Sequence, residues 1–154
     1  MSTTPIKRHD ALRSLSKEHH YGLVLCWKIR TGISKGIEIE RIKKYVDWFY
    51  KTHLAAHFSI EEKHLFTILG PDHLLVKKAL SQHRRLEKLF RQTDALEKAI
   101  HSIEEELEQH IRFEERILFS EIQQKASPEQ LKAFLEAHDD TPFVENTTDE
   151  FWKD

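Results

Sequence analysis

The stretch HFSIEEKHLF at residues 57–66 decides the fold, and it recurs as HIRFEERILF at residues 110–119. Both copies read His, apolar, polar, apolar, Glu, Glu, basic, variable, Leu, Phe. Residues four apart on a helix lie one above the other, so the first His and first Glu of each copy share a face. The rest of each stripe is apolar, which places both His/Glu pairs in the interior.

Carboxylates and imidazoles left without partners in an apolar core are costly. A metal ion removes that cost because carboxylates and neutral imidazoles then serve as ligands, and a carboxylate can bridge two metals. The repeat therefore predicts a metal centre, in preference to surface pairs or packed core histidines. Donors of nitrogen and oxygen without sulfur favour iron or manganese, with zinc as an alternative.

Helical periodicity continues on both sides of the repeat. The first helix is predicted over residues 10–31, with Gly32 and Gly36 at its exit. The second is predicted over residues 38–69, and Gly70 ends it. The first copy of the repeat therefore lies near the end of the second predicted helix.

The third helix is predicted from about Asp72 and is interrupted just before Asp94. The fourth is predicted from a capping box of Asp94 and Glu97 to about Lys125. No segment shows the alternation of a strand, and the connections are short. The pattern predicts an all-α, up-down-up-down four-helix bundle over about residues 10–125.

A short extra helix and a tail complete the single predicted domain, residues 1–154. Ser127 and Gln130 flank a proline in a helix-start pattern, which predicts a helix over about residues 128–138. The acidic tail, residues 139–154, is expected to be irregular and to dock on the bundle or on a second copy, which would make a homodimer. Its apolar side chains are Phe143, Val144, Phe151 and Trp152.

The first and third helices each offer an inward histidine. On the first, His19 has Leu15 and Leu23 four residues away on either side, whereas His20 is turned about 100° from that stripe. His19 is therefore favoured, with His20 as the alternative, and the third helix supplies His83. The candidate metal ligands are His19 (or His20), His57, Glu61, His83, His110 and Glu114.

Three further residues are candidates to support the ligands: His53, His64 and Glu87. Core packing is the alternative for the two histidines, which could also line an access path, and a solvated face is the alternative for Glu87. Glu62 and Glu115 are interpreted as partners of nearby Lys and Arg, at the surface or beside the ligands.

Composition narrows the class of protein. The formal net charge of −2 gives no reason to expect nucleic acid or an anionic membrane as a partner. The single cysteine, Cys26, excludes a disulfide framework and a thiolate cluster. The N-terminal residues lack the apolar run of a signal peptide, and no stretch reaches the roughly 18 apolar residues of a membrane span. The expectation is a cytoplasmic protein.

The motifs resemble those of the hemerythrin-like, HHE cation-binding family. The resemblance lies in residues 15–19, 57–66, 80–83 and 110–119 and spans most of residues 12–121. It implies an up-down four-helix bundle with an oxo- or hydroxo-bridged di-iron site. Residue by residue, it implies terminal ligation by His19, His57, His83 and His110 and bridging by Glu61 and Glu114.

The resemblance also implies a function. Oxygen-carrying hemerythrins have five histidines, with His-x-x-x-His on the third helix, whereas this chain has His83 followed by Glu87 and resembles the bacterial HHE and iron–sulfur-cluster repair type. The expected function is to bind or sense oxygen, nitric oxide or peroxide. The alternatives are a di-iron redox enzyme or iron donor in cluster repair or stress response, and a metal-free structural bundle. No residue is assigned a catalytic role.

Overall fold

The computed structural model describes residues 7–138 and 142–154, which contain five helices and no strand. The regular helices are α1 (Asp10–Ser34), α3 (Leu74–Arg91) and α5 (Pro128–Ala137), whereas α2 (39–68) and α4 (96–125) change pitch along their length. None of the described helices combines the length and apolar character that crossing a membrane requires.

The irregular helices contain π-helical turns. Helix α2 runs through Ile39–Phe49, a π turn Tyr50–Leu54, Ala55–Ile60, a π turn Glu61–Leu65 and a 3₁₀ turn Phe66–Ile68. Helix α4 runs through Leu96–Phe113, a π turn Glu114–Leu118 and Phe119–Lys125. In these turns a backbone N–H donates to the carbonyl five residues earlier, as from Phe66 to Glu61 and from Phe119 to Glu114. Both copies of the repeat therefore enter a wider turn at their first Glu.

The end of α1 lies beyond the predicted one. Gly32 lies inside the helix rather than at its exit, and a Cβ there would stand 2.7 Å from the ring of Phe151. Gly36 ends the helix instead, with a φ of +72° that favours glycine. The Ile37 N–H then donates to the Gly32 carbonyl. The absence of a side chain at Gly32 thus makes room for Phe151 of the tail. The sequence around Gly32 does not reveal this contact.

Two predicted capping boxes have different outcomes. The box of Asp94 and Glu97 is wrong, because α4 begins after Ala95, whose φ is 48°, and no side chain caps it. The box at the start of α5 is confirmed: the Gln130 N–H donates to Ser127 Oγ, and the Ser127 N–H donates to Gln130 Oε1.

The core has two apolar clusters with a buried polar layer at their boundary. The first includes Leu25, Ile29, Phe49, Leu86, Phe90 and Ile103. The second includes Leu12, Leu15, Leu65, Val76, Phe119 and Phe134. Where α1 and α4 approach each other, a Cβ on Gly22 would stand 2.8 Å from Ile111 Cδ1.

The described part of the tail, residues 142–154, lies on the helices. Phe143 stacks on Tyr21 with ring centroids 4.3 Å apart, Phe151 is buried and Trp152 packs on Tyr45. Val144 is instead exposed to solvent. Residues 139–141 of the predicted tail lie outside the described residues.

Candidate metal centre

The structure brings the predicted ligands together at one level of the core. All are at most 5% exposed: His19, His57, Glu61, His83, His110 and Glu114. His20 is exposed on the outer side of α1, so the alternative for the first helix is wrong. The reason is the 3.6-residue period, which turns a side chain outward when its neighbour faces the core.

The ligand atoms form two groups of four that share both carboxylates. One group is His19, His57, Glu61 and Glu114, and the other is His83, His110, Glu61 and Glu114. Within each group the atoms lie within 4.8 Å of one another. Each group could hold a metal ion, and the shared Glu61 and Glu114 would then contact both ions.

The individual distances show how each carboxylate spans the two groups. Glu61 places Oε2 3.3 Å from His57 Nε2 and Oε1 3.2 Å from His83 Nε2. Glu114 places Oε1 2.9 Å from His19 Nε2 and 3.4 Å from His110 Nε2. Each carboxylate therefore lies close to one histidine from each of the two groups.

Several inward polar atoms have no hydrogen-bond partner among the described residues: both carboxylate oxygens of Glu61, Oε2 of Glu114, and Nε2 of His83 and His110. A buried polar atom left unsatisfied costs about 1–3 kcal/mol, and more when it is charged. The unsatisfied atoms converge and are oxygen and imidazole nitrogen donors. The residues therefore fit divalent or trivalent cations of the iron, manganese or zinc kind.

The outer nitrogen of each imidazole is held by an acceptor on another helix. The Nδ1 distances are 2.6 Å from His19 to Glu115, 2.6 Å from His57 to Glu18, 2.7 Å from His83 to Glu62 and 2.6 Å from His110 to Gln82. Because a carboxylate or amide oxygen only accepts, each Nδ1–H donates to it. That bond fixes the ring and leaves Nε2 facing the centre, as metal-ligating histidines require.

The electrostatics also favour positive charge at the centre. Burial would lower the pKa of His19, but hydrogen bonds with Glu114 and Glu115 raise it to about 9. The pKa of His83 likewise rises to about 9, since Glu61 and Glu62 outweigh burial. Burial and the charge of Glu114 raise the pKa of Glu61. The negative charge of the carboxylates thus stabilises the protonated form of the neighbouring imidazoles. A bound metal cation would be stabilised by the same negative charge.

Aromatic rings from the repeat hold two of the imidazoles. Phe119, the last residue of the second copy, stacks on His19 with centroids 5.2 Å apart. Phe66, its counterpart in the first copy, lies 5.5 Å from the His83 ring. The two copies therefore contribute equivalent residues to the site: each supplies a His, a Glu, a second Glu that accepts an imidazole Nδ1–H, and a Phe.

Two predicted supporting residues do not contact the ligands. His64 is exposed, because the π turn that begins at Glu61 rotates it outward and brings Leu65 inward. Glu87 pairs with Arg84 and makes no hydrogen bond or ion pair with a ligand. The third candidate, His53, is half-buried and lines a cavity that reaches His19 and His57.

The supporting residues that sequence reasoning missed are Glu18 and Gln82. Each directly precedes an inward histidine in the sequence, and that adjacency was the available signal. Glu62 and Glu115 do pair with Arg84 and Arg8, as interpreted, but each also holds an imidazole.

The fold and the site define an all-helical protein with buried His/Glu groups that could hold metal ions. Comparisons of the chain with protein-family models, with curated proteins and with solved structures gave no match.

Proposed function

We propose that this protein is a hemerythrin-like, non-haem di-iron protein that binds or senses oxygen, nitric oxide or peroxide. The observation that carries the proposal is the sharing of Glu61 and Glu114 by both groups of ligand atoms. Di-iron carboxylate sites in helical bundles are built in this way, from Glu and His side chains projecting inward from facing helices.

We also infer an up-down-up-down arrangement of α1 to α4. Helices α1 and α3 pass from the cluster containing Leu12 and Val76 to the cluster containing Ile29 and Phe90. Helices α2 and α4 pass in the opposite direction, as from Phe49 to Leu65 on α2. This alternation supports antiparallel neighbours and a two-fold relation between the copies of the repeat.

In the proposed site, His19 and His57 would hold one iron and His83 and His110 the other, with the carboxylates of Glu61 and Glu114 available to both. Bound iron supplies redox-active coordination positions for a small ligand. The protein contributes the rest: the Nδ1–H bonds orient the imidazoles, and the burial of all six side chains admits only small molecules to the metals.

Metal content tests the proposal directly. Anaerobic reconstitution with ferrous iron should give about two irons per chain, measured by elemental analysis. Glu61→Ala and Glu114→Ala should each lose at least one iron, because each removes a ligand from both groups. The controls His20→Ala and His64→Ala change exposed histidines on α1 and α2 and should retain full iron.

Either of two results would overturn the metal assignment: a wild-type protein that stays metal-free, or glutamate variants that load as fully as the controls. Exposure of the reduced, iron-loaded protein to oxygen or nitric oxide then tests ligand binding. The expected result is a new absorption band that disappears when the gas is removed. Steady consumption of peroxide or oxygen without such a band would indicate an enzyme instead.

A further inference from the structure

The two groups of ligand atoms differ in the charge of the acceptors that hold their imidazoles. In one group, the Nδ1–H of His19 donates to the Glu115 carboxylate over 2.6 Å. The Nδ1–H of His57 donates to the Glu18 carboxylate, also over 2.6 Å. Both imidazoles of this group are therefore backed by a negative charge.

Among the described residues, the other group has one such carboxylate. His83 Nδ1 lies 2.7 Å from Glu62 Oε2, whereas His110 Nδ1 lies 2.6 Å from the amide oxygen of Gln82. Because the two distances are nearly equal, the difference lies in the charge of the acceptor and not in its reach. Of the four imidazoles, that of His110 has the neutral acceptor.

The difference arises outside the repeat. Each copy of the repeat supplies one carboxylate acceptor, Glu62 in the first and Glu115 in the second. The other two acceptors come from α1 and α3, where Glu18 and Gln82 each directly precede an inward histidine. Corresponding positions on these two helices thus carry Glu in one case and Gln in the other.

The outer partners of the three carboxylates do not remove this difference. Each carboxylate gives one oxygen to an imidazole and turns the other toward a basic side chain. The pairs are Glu115 with Arg8, Glu18 with His138 and Glu62 with Arg84. Since all three carboxylates have such a partner, these partners do not distinguish the two groups, whereas the neutral amide does.

A charged acceptor makes an imidazole a stronger metal ligand. The hydrogen bond to a carboxylate is stronger than that to a neutral amide, and it raises the basicity of the ring nitrogen that faces the metal. Glu61 and Glu114 belong to both groups and favour neither. The group of His19 and His57 therefore has the higher affinity for a cation.

We propose that the group of His19 and His57 takes up the first metal ion and holds it more tightly. Gln82 makes the other group the weaker site, which fills second and empties first. Gln82 is a positioning residue, because it acts on the metal through His110. The inference rests on the metal centre of the proposed function, but neither on the binding of a gas nor on iron as the metal.

Zinc titration of the metal-free full chain, followed by NMR of isotope-labelled histidine side chains, identifies the order of filling. The Nε2 signals of His19 and His57 should shift with the first equivalent of zinc, and those of His83 and His110 with the second. Simultaneous shifts of all four signals, or the reverse order, would overturn the proposal.

Chelator competition, with zinc and anaerobically with ferrous iron, measures the two stepwise affinities. Gln82→Glu gives His110 a charged acceptor of the same size and should tighten the second step about tenfold. The matched control Gln109→Glu adds the same charge on the exposed face of α4 beside His110, and should change that step less than about twofold because exposed charges are screened. Glu18→Gln should weaken the first step about tenfold and make all four imidazole signals shift together.

Equal effects of Gln82→Glu and Gln109→Glu would overturn the role of Gln82, because any added charge near the site would then suffice. Two metals that bind in the wrong order would contradict this inference and leave the metal centre standing. A chain that binds neither zinc nor iron would contradict the metal centre itself, and this inference with it.

Discussion

Each of the four inward histidines has its outer nitrogen bonded to a residue adjacent in sequence to another candidate ligand. Glu18 precedes His19 but holds His57, and Glu115 follows Glu114 but holds His19. One helical step of about 100° separates such neighbours. A ligand on one helix therefore has beside it the acceptor that orients a ligand on the next helix.

Glu115→Ala should lower metal affinity about 10- to 100-fold, because His19 loses the acceptor that fixes its ring and raises its basicity. Ser16 also loses its hydrogen bonds to this carboxylate. Competition with a chelator of known affinity measures the change. Glu105→Ala, on the exposed face of the same helix, is the control. Equal affinities in the two variants would show that the outer carboxylate does not support the metal.

The candidate ligands were predictable from sequence because a helix fixes which residues share a face. His57 with Glu61, and His110 with Glu114, needed only the four-residue spacing and an apolar stripe. The acceptors were less predictable, since Gln82 gives no sign by itself that it will meet His110 across a helix interface.

At the scale of elements, the π turns and the tail position the site. A wider turn beginning at Glu61 and at Glu114 places these carboxylates inward and brings Leu65 and Leu118 to the core after them. A constant 3.6-residue step from His57 would turn His64 inward and made it a candidate to support the ligands, whereas the π turn leaves it exposed.

The tail is held by a partly buried ion pair. Lys28 is 4% exposed, and its Nζ lies 2.7 Å from Tyr45 Oη and 2.5 Å from Glu145 Oε2. The ammonium group also lies 4.0 Å from the Trp152 ring centroid. These contacts tie residues 145–152 to α1 and α2, and they keep Phe143 in the cavity wall.

Glu145→Gln should destabilise the protein by about 1–3 kcal/mol at pH 7, less than for a fully buried pair because Glu145 is partly exposed. Burial would raise the pKa of Glu145, but hydrogen bonds from Lys28 and Tyr45 lower it below 4.5. Its stabilisation is therefore present above about pH 4.5 and disappears as pH falls through the lowered pKa.

Urea unfolding between pH 7 and pH 3 measures this effect. The difference between the wild type and Glu145→Gln should shrink as the pH falls. Glu150→Gln is the control, since its carboxylate pairs with the exposed Lys153 in the same tail. A difference that stays constant with pH would mean that the charge of Glu145 does not hold the tail.

At the scale of the whole molecule, the polar layer interrupts an otherwise apolar core. The carboxylates of Glu61 and Glu114 are fully buried where the two apolar clusters meet. Without a cation, their charge is balanced only by neighbouring imidazoles. The stability of the molecule should therefore be linked to metal binding.

Ferrous iron at about 100 times its dissociation constant should stabilise the native state by about 2.7 kcal/mol for each site. For a chain of this length, that corresponds to a rise in Tm of about 5–10 °C per site, or about 10–20 °C with both sites filled. Anaerobic calorimetry with and without iron measures the shift, and Glu61→Ala should show a smaller one. An unchanged Tm despite confirmed iron uptake would contradict the linkage.

The sequence by itself determined the helices, the inward stripes and the six candidate ligands, because backbone periodicity and side-chain polarity are local properties. Only the tertiary structure decided in favour of His19 over His20, assigned Glu18 and Gln82 as acceptors, and placed Phe151 against Gly32. It also formed the cavity from α1, α2, α4 and the tail. The physical reason is that these features depend on side chains from different helices meeting within hydrogen-bond or van der Waals distance, which no local pattern encodes.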